Sequence, residues 1–193
     1  MVVLVVLGGL GIALFNRPAK SDEALEVNKK STLQTRQLKS QTVLYSIYRG
    51  PYEQMGAAIG SLYALAGQKG IIPRGPLSCA FLNNPQFVSP QHYLTEIRIP
   101  VDNAALKHSG SLGPFTDIKT LPEMEVAVAT RPAGLTDPAP IYNQLYAKIF
   151  KNGYIPTDSA MELYLDHSMT ADYAQMKTEI LIPIAKLPTI IEE

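Results

Sequence analysis

The chain is short of several things at once. Of its 193 residues one is cysteine, three are histidine and none is tryptophan. A single cysteine, Cys79, excludes an intramolecular disulfide and a zinc cluster, so the fold stands on its core alone. Charge is scarce too. Only 18% of residues are charged, and 17 basic side chains balance 17 acidic ones. A neutral chain with no basic stripe lacks the electrostatic footprint of a nucleic-acid binder, so no direct nucleic-acid partner is expected. What is present is apolar: 46% of residues, enough to offset chain entropy and build a globular core.

The first fifteen residues, Met1 to Phe15, carry no charge, and Arg17 and Lys20 follow them. As a helix they would span about 22 Å, short of the roughly 30 Å hydrocarbon layer. No basic residue opens the run and no small-residue cleavage site closes it, which argues against a signal peptide. The expected reading is an N-terminal membrane anchor helix over 1–15, with the folded domain on the cytoplasmic side by the positive-inside tendency. Residues 16–40 are polar and read as a linker. The domain is expected over 41–187, with 188–193 as a tail.

An internal repeat organises that domain. Residues 43–100 slide onto 126–183 at one offset of 83, without a gap. Leu62-Tyr63-Ala64 falls on Leu145-Tyr146-Ala147, Gly70 on Gly153, and Ile72-Pro73 on Ile155-Pro156. Thr95-Glu96-Ile97 falls on Thr178-Glu179-Ile180, and Ile99-Pro100 on Ile182-Pro183. Each unit opens with an alternating run (42–48, 124–130) that reads as a half-buried strand. A helical stretch follows, with Met55, Ile59, Leu62, Tyr63 and Ala66 in the first copy and Ile141, Leu145, Ala147 and Ile149 in the second. Each helix stops at a glycine. Strands over 78–83 and 93–101, or 160–166 and 176–184, complete the unit. The fold class is therefore α+β: two β-α-β-β units (43–101 and 126–184) making a largely antiparallel six-stranded sheet, helices on one face.

Alternation then sorts side chains. Ile97, Ile99 and Val101, and Ile180, Ile182 and Ile184, are assigned to the core beneath the helices. Glu162, Tyr164 and Glu179 are expected together on the opposite face, with Cys79, Phe81 and Glu96 in the first copy and Tyr45 beside them. Carboxylates among aromatic rings suit a flat apolar or cationic ligand, or a general acid or base. On an ordinary strand they are simply solvated charges, and the kept pair Glu96 and Glu179 can equally preserve structure. His92, His108 and His167 are scattered and polar-flanked, which reads as surface rather than as metal ligands. Cys79, in an apolar strand, reads as a small buried hydrophobe. No metal and no cofactor is expected.

Tyr48-Arg49-Gly50-Pro51-Tyr52-Glu53 resembles the GPYE turn that opens the GyrI-like family. Phe81-Leu82-Asn83-Asn84-Pro85 with Val88-Ser89-Pro90 is similar to its Y-x-(D/N)-x-P and V-P-P segment, and Leu94–Val101 to its closing strand. The family shares its fold with effector-binding domains of multidrug-responsive and AraC-type regulators and with haem-binding SOUL proteins. The resemblance implies a small, planar, often cationic ligand between the copies, contacted by a carboxylate at Glu162 or Glu179 and by rings such as Tyr52. It implies, as an alternative, hydrolysis of strained cyclopropane-bearing electrophiles, with Glu162 and Glu179 catalytic. Membrane-anchored relatives include autophagy receptors, which makes an interaction adaptor the third reading. The chain departs from the family's regulators in lacking a helix-turn-helix segment and tryptophan. Its second copy has Thr136-Asp137-Pro138-Ala139-Pro140 where the first has GPYE.

Overall fold

The computed structural model describes residues 32–165 and 176–188. The expected anchor over 1–15, most of the linker, His167 and nearly all of the tail lie outside the described residues. Among those described, no helix is long and apolar enough to cross a membrane.

The strands are β1 (Gln34–Leu38), β2 (Gln41–Arg49), β3 (Ser78–Phe81), β4 (Leu94–Pro100), β5 (Thr116–Leu121), β6 (Met124–Arg131), β7 (Tyr154–Pro156), β8 (Met161–Tyr164) and β9 (Thr178–Lys186). The helices are α1 (Met55–Gln68) and α2 (Ala139–Lys151). Eight strands run in the order β1-β6-β9-β8-β3-β4-β2-β5, every pairing antiparallel, with β7 set on β9.

The expected helices form for the expected reasons. Met55, Ile59, Leu62 and Ala66 are the buried stripe of α1, and Ile141, Leu145 and Ile149 that of α2. Ala147 does not join the stripe; it is exposed. Gly70 and Gly153 end the two helices at φ +65° and +71°, the left-handed position a glycine takes without steric cost. Lys148 and Lys151 sit in the last turn of α2, where they complement the helix dipole.

The repeat reaches further than the sequence indicated. The offset that lays β6 on β2 and β8 on β3 also lays β5 on β1, so each unit begins with one more strand. That strand is exchanged. β1, from the first unit, pairs with β6 of the second; β5, from the second, pairs with β2 of the first. The two pairings continue one another. Gln34 faces Val128 and Leu38 faces Met124; past a two-residue break in each strand, Gln41 faces Leu121 and Ser46 faces Thr116. Side chains bridge the break: Gln37 Nε2 donates to Glu123 Oε1 (3.0 Å) and Ser40 Oγ to the Leu121 carbonyl (3.0 Å). The folded body thus starts by Gln34, inside the stretch expected to be linker.

This connection curls the sheet. In the strand order β1 and β2 stand six places apart, about 29 Å on a flat sheet at 4.8 Å per strand. The link between them reaches about 11 Å. The edges must therefore come round toward each other. One face carries both helices over separate cores: α1 over Leu44, Cys79, Ile97 and Ile99, α2 over Ala127, Ile180 and Ile182. The other face, inside the curl, has its own apolar cluster of Ala80, Val126, Met161 and Leu181.

Candidate functional site

At the centre of the strand order β8 lies beside β3, the seam between the two copies. α1 packs over β2 and α2 over β6 and β7, so the seam strands form the floor between the helices. The register decides which side chains stand on that floor. Glu162 faces Cys79 on one side and Ile180 on the other; Tyr164 faces Thr178. Ile180 belongs to the core beneath α2, so Glu162 and Tyr164 stand on the helix face. Glu179 faces Leu163 and Thr130, and stands on the opposite face.

The expected constellation is therefore divided. Glu162, Tyr164, Phe81 and Tyr52 are on the helix side; Glu179, Glu96 and Tyr45 are on the inner side of the curl. Glu162 and Glu179 do not converge, and Cys79 and Phe81 part from Glu96. The reason is that Met161 and Leu163, apolar and alternating with Glu162 and Tyr164, belong with the inner cluster rather than under the helices. With both faces buried, hydrophobicity no longer marks the helix side.

Glu162 is 4% exposed yet densely partnered. Its Oε2 accepts from Arg131 Nη1 at 2.9 Å and from Thr178 Oγ1 at 3.3 Å, and its Oε1 from the Tyr142 hydroxyl at 3.2 Å. The ion pair with Arg131 is buried on both sides. Arg131 Nη2 also donates to the Leu135 carbonyl at 3.3 Å, and its Nε is buried with no partner. On the α1 side the rings gather. Tyr52 stacks on Tyr93 at 4.6 Å and meets Phe81 edge-on at 5.3 Å. Tyr164 packs into the α1 core and shares a hydrogen bond with Cys79.

The turn that brings Tyr52 in is tightly specified. Gly50 has φ +149°, and a Cβ there would lie 2.5 Å from the Tyr48 hydroxyl, which itself donates to the Pro51 carbonyl at 3.0 Å.

Burial raises the pKa of the phenols and of the thiol here. It pushes the Tyr52 phenol up to about 12, helped by Tyr93 and the charge of Glu162. Burial and the same carboxylate raise Tyr142 well above the usual phenol value, and burial and Cys79 do so for Tyr164. The Cys79 thiol is likewise pushed up, first by burial and then by Glu162, so it is no ready nucleophile. His92 is exposed, its Nδ1 2.9 Å from Ser89 Oγ, and His108 is half-buried. Among the described residues no three His, Cys, Asp or Glu side chains are grouped to hold a metal.

The inner-face glutamates have a different occupation, and the repeat explains why both are kept. Glu179 pairs with Arg36 of β1 at 2.6 Å, and Glu96 with Lys119 of β5 at 2.8 Å. Arg36 and Lys119 are themselves equivalent under the offset of 83. Each glutamate pins an exchanged strand. Glu96 also accepts from Arg98 Nε at 2.6 Å, and Lys119 lies 4.5 Å over the Tyr45 ring.

Sequence reasoning did not single out Tyr93, Arg131, Tyr142 and Thr178. Tyr142 was within reach: the offset lays it on Ile59, one of the buried stripe of α1. Arg131 had no signal beyond its place at the end of β6.

No protein-family model matches the sequence, and no curated protein does. Solved structures do match in fold. The C-terminal domain of EcmrR superposes with a TM-score of 0.63 at 15% identity, over 81% of this chain and 98% of that one. EcmrR in complex with DNA gives 0.62 at 16%, over 86% and 67%. A hydrolase encoded by lin2189 from Listeria innocua gives 0.59 at 14%, over 80% and 92%. At these identities the likeness is one of fold. The match to EcmrR alone is nearly complete for its C-terminal domain, while a third of the DNA-bound protein lies outside it.

Proposed function

We propose that this protein binds small, flat, largely apolar molecules between α1 and α2. The ring system would stack against Tyr52, Phe81 and Tyr93, and the polar end would meet the Glu162 cluster. One observation carries the reading: a buried carboxylate stands on the floor of the seam between two separate helix cores, with the Tyr142 hydroxyl bonded to it and the Tyr52, Phe81 and Tyr93 rings gathered on the α1 side. Aromatic rings beside a few convergent polar groups are what line a small-molecule site. The GyrI-like resemblance and the fold shared with the C-terminal domain of EcmrR support the same reading.

A dye titration followed by fluorescence tests it. Saturable binding of a planar dye is expected, weakened about tenfold or more in Tyr52→Ala through lost stacking. Glu179→Gln, on the far face, should leave binding unchanged. No saturable binding of any planar dye, or an equal loss in Glu179→Gln, would overturn the site.

The hydrolase alternative now has one groove glutamate rather than two, with Glu162 as its general base and Glu179 out of reach. The shared fold with a Listeria hydrolase is its support. Conversion of a cyclopropane-bearing electrophile to its hydrate at the uncatalysed rate would end it. Residues 1–15 are proposed to tether the domain to a membrane, and release of the full chain by alkaline extraction of membranes would remove that part.

A further inference from the structure

The charge of the ligand can be argued from Arg131, on the basis of the small-molecule site proposed above. The two copies furnish the seam unequally. The offset lays Glu162 on Cys79, Arg131 on Tyr48, Tyr142 on Ile59 and Tyr164 on Phe81. The second copy therefore supplies a polar half and the first an apolar, ring-lined half. Within the polar half the carboxylate already has a counter-ion. Three donors already occupy Glu162, and one of them is a permanently charged guanidinium whose residue is 9% exposed. A cation brought there would lose its hydration and face Arg131 as well as Glu162, with no net charge to reward it.

The unmet demand has the opposite sense. Arg131 uses Nη1 for Glu162 and Nη2 for the Leu135 carbonyl, while its Nε–H is buried and unpartnered among the described residues. A buried donor without an acceptor is a cost that a ligand oxygen would relieve.

We propose that the site selects planar aromatic molecules bearing a carbonyl or carboxylate oxygen, neutral or anionic, which accept a hydrogen bond from Arg131, and that it discriminates against organic cations. Glu162 is then the counter-ion that holds the guanidinium in place, and the ligand's rings extend toward Tyr52, Phe81 and Tyr93.

Three tricyclic fluorophores of one shape and different charge separate the cases: acridone, which is neutral and offers a carbonyl, acridine-9-carboxylate, which is anionic, and 10-methylacridinium, which is cationic. Titrated against the full chain, acridone and the carboxylate should bind about tenfold or more tighter than the cation, the usual margin for a hydrogen bond to a charged group. In Arg131→Met that preference should vanish or reverse, because Glu162 is left uncompensated. The double variant Arg131→Met/Glu162→Gln restores a neutral floor and serves where the single variant fails to fold, as circular dichroism would reveal. It should bind all three equally. Tightest binding of 10-methylacridinium by the unaltered chain would overturn the charge preference while leaving the small-molecule site standing. An unchanged preference in the double variant would show that Arg131 is not the selecting group. Binding of none of the three would remove both readings together.

Discussion

Thr95 and Thr178 occupy equivalent places under the repeat, and both are completely buried. Their hydroxyls fare differently. Thr178 Oγ1 donates to Glu162, whereas Thr95 Oγ1 has no partner, because its copy carries Cys79 where the other carries Glu162. The same substitution should therefore have opposite signs. Thr95→Val removes an unsatisfied hydroxyl at nearly constant shape, and should raise stability by up to about 1 kcal/mol. Thr178→Val removes a partner of a buried carboxylate and should lower it by about 1–2 kcal/mol. Urea unfolding of both variants decides it; equal shifts would mean that the asymmetry of the seam has no energetic weight. The phenols give a second expectation. Raised pKa values mean that the folded state holds Tyr52, Tyr142 and Tyr164 in their neutral form. That contribution is complete below the ordinary phenol value near 10 and is lost as pH climbs past it, toward about 12 for Tyr52. The urea midpoint should fall above pH 10, and Tyr142→Phe should flatten the fall. A midpoint that is level over that range in the unaltered chain would contradict it.

At the scale of elements, the kept glutamates behave as pins for exchanged strands. Glu96 is almost fully buried and serves both Arg98 and Lys119, while the Glu179–Arg36 pair lies partly in solvent. Glu96→Gln should cost about 3–5 kcal/mol, since it strands buried Arg98. Glu179→Gln should cost under about 1 kcal/mol and less in high salt. Thermal unfolding at two ionic strengths checks the contrast, and similar losses for both would refute it. The helices, the six strands of the repeat and both glycine stops were legible, because each follows from local periodicity or backbone freedom. The faces of β8 and β3 were not. Alternation gives two sets of side chains but not their orientation, and Met161 and Leu163 are as apolar as any core set. The pairing of Glu162 with Ile180 and with Cys79 distinguishes them. β1 was hidden because QTRQL is polar and its partner β6 lies far along the chain; its one clue, the repeat partner at 117–121, has no residue identity to show it apart from the final leucine.

For the molecule as a whole, β1 shields the edge of β6, and Leu33 packs against the core under α2. A chain begun at Gln41, the boundary expected from composition, should therefore be less stable than one begun at Thr32. It loses a strand ladder and the Arg36–Glu179 pair and exposes a strand edge prone to pairing with other chains. Comparison of the two by unfolding and by light scattering tests this; equal stability would return Gln34–Leu38 to the linker.

The exchange of strands also sets an order of events in synthesis. β1 is made early, but its partner β6 is completed only with Arg131. Until Leu121 the first unit lacks β5 as well, and neither end of its sheet is closed. These pairings join residues far apart in the chain, so they carry a large loop-closure entropy and form late. The nascent chain consequently passes through an interval with open strand edges, when a chaperone or a neighbouring ribosome's product has its best access to them.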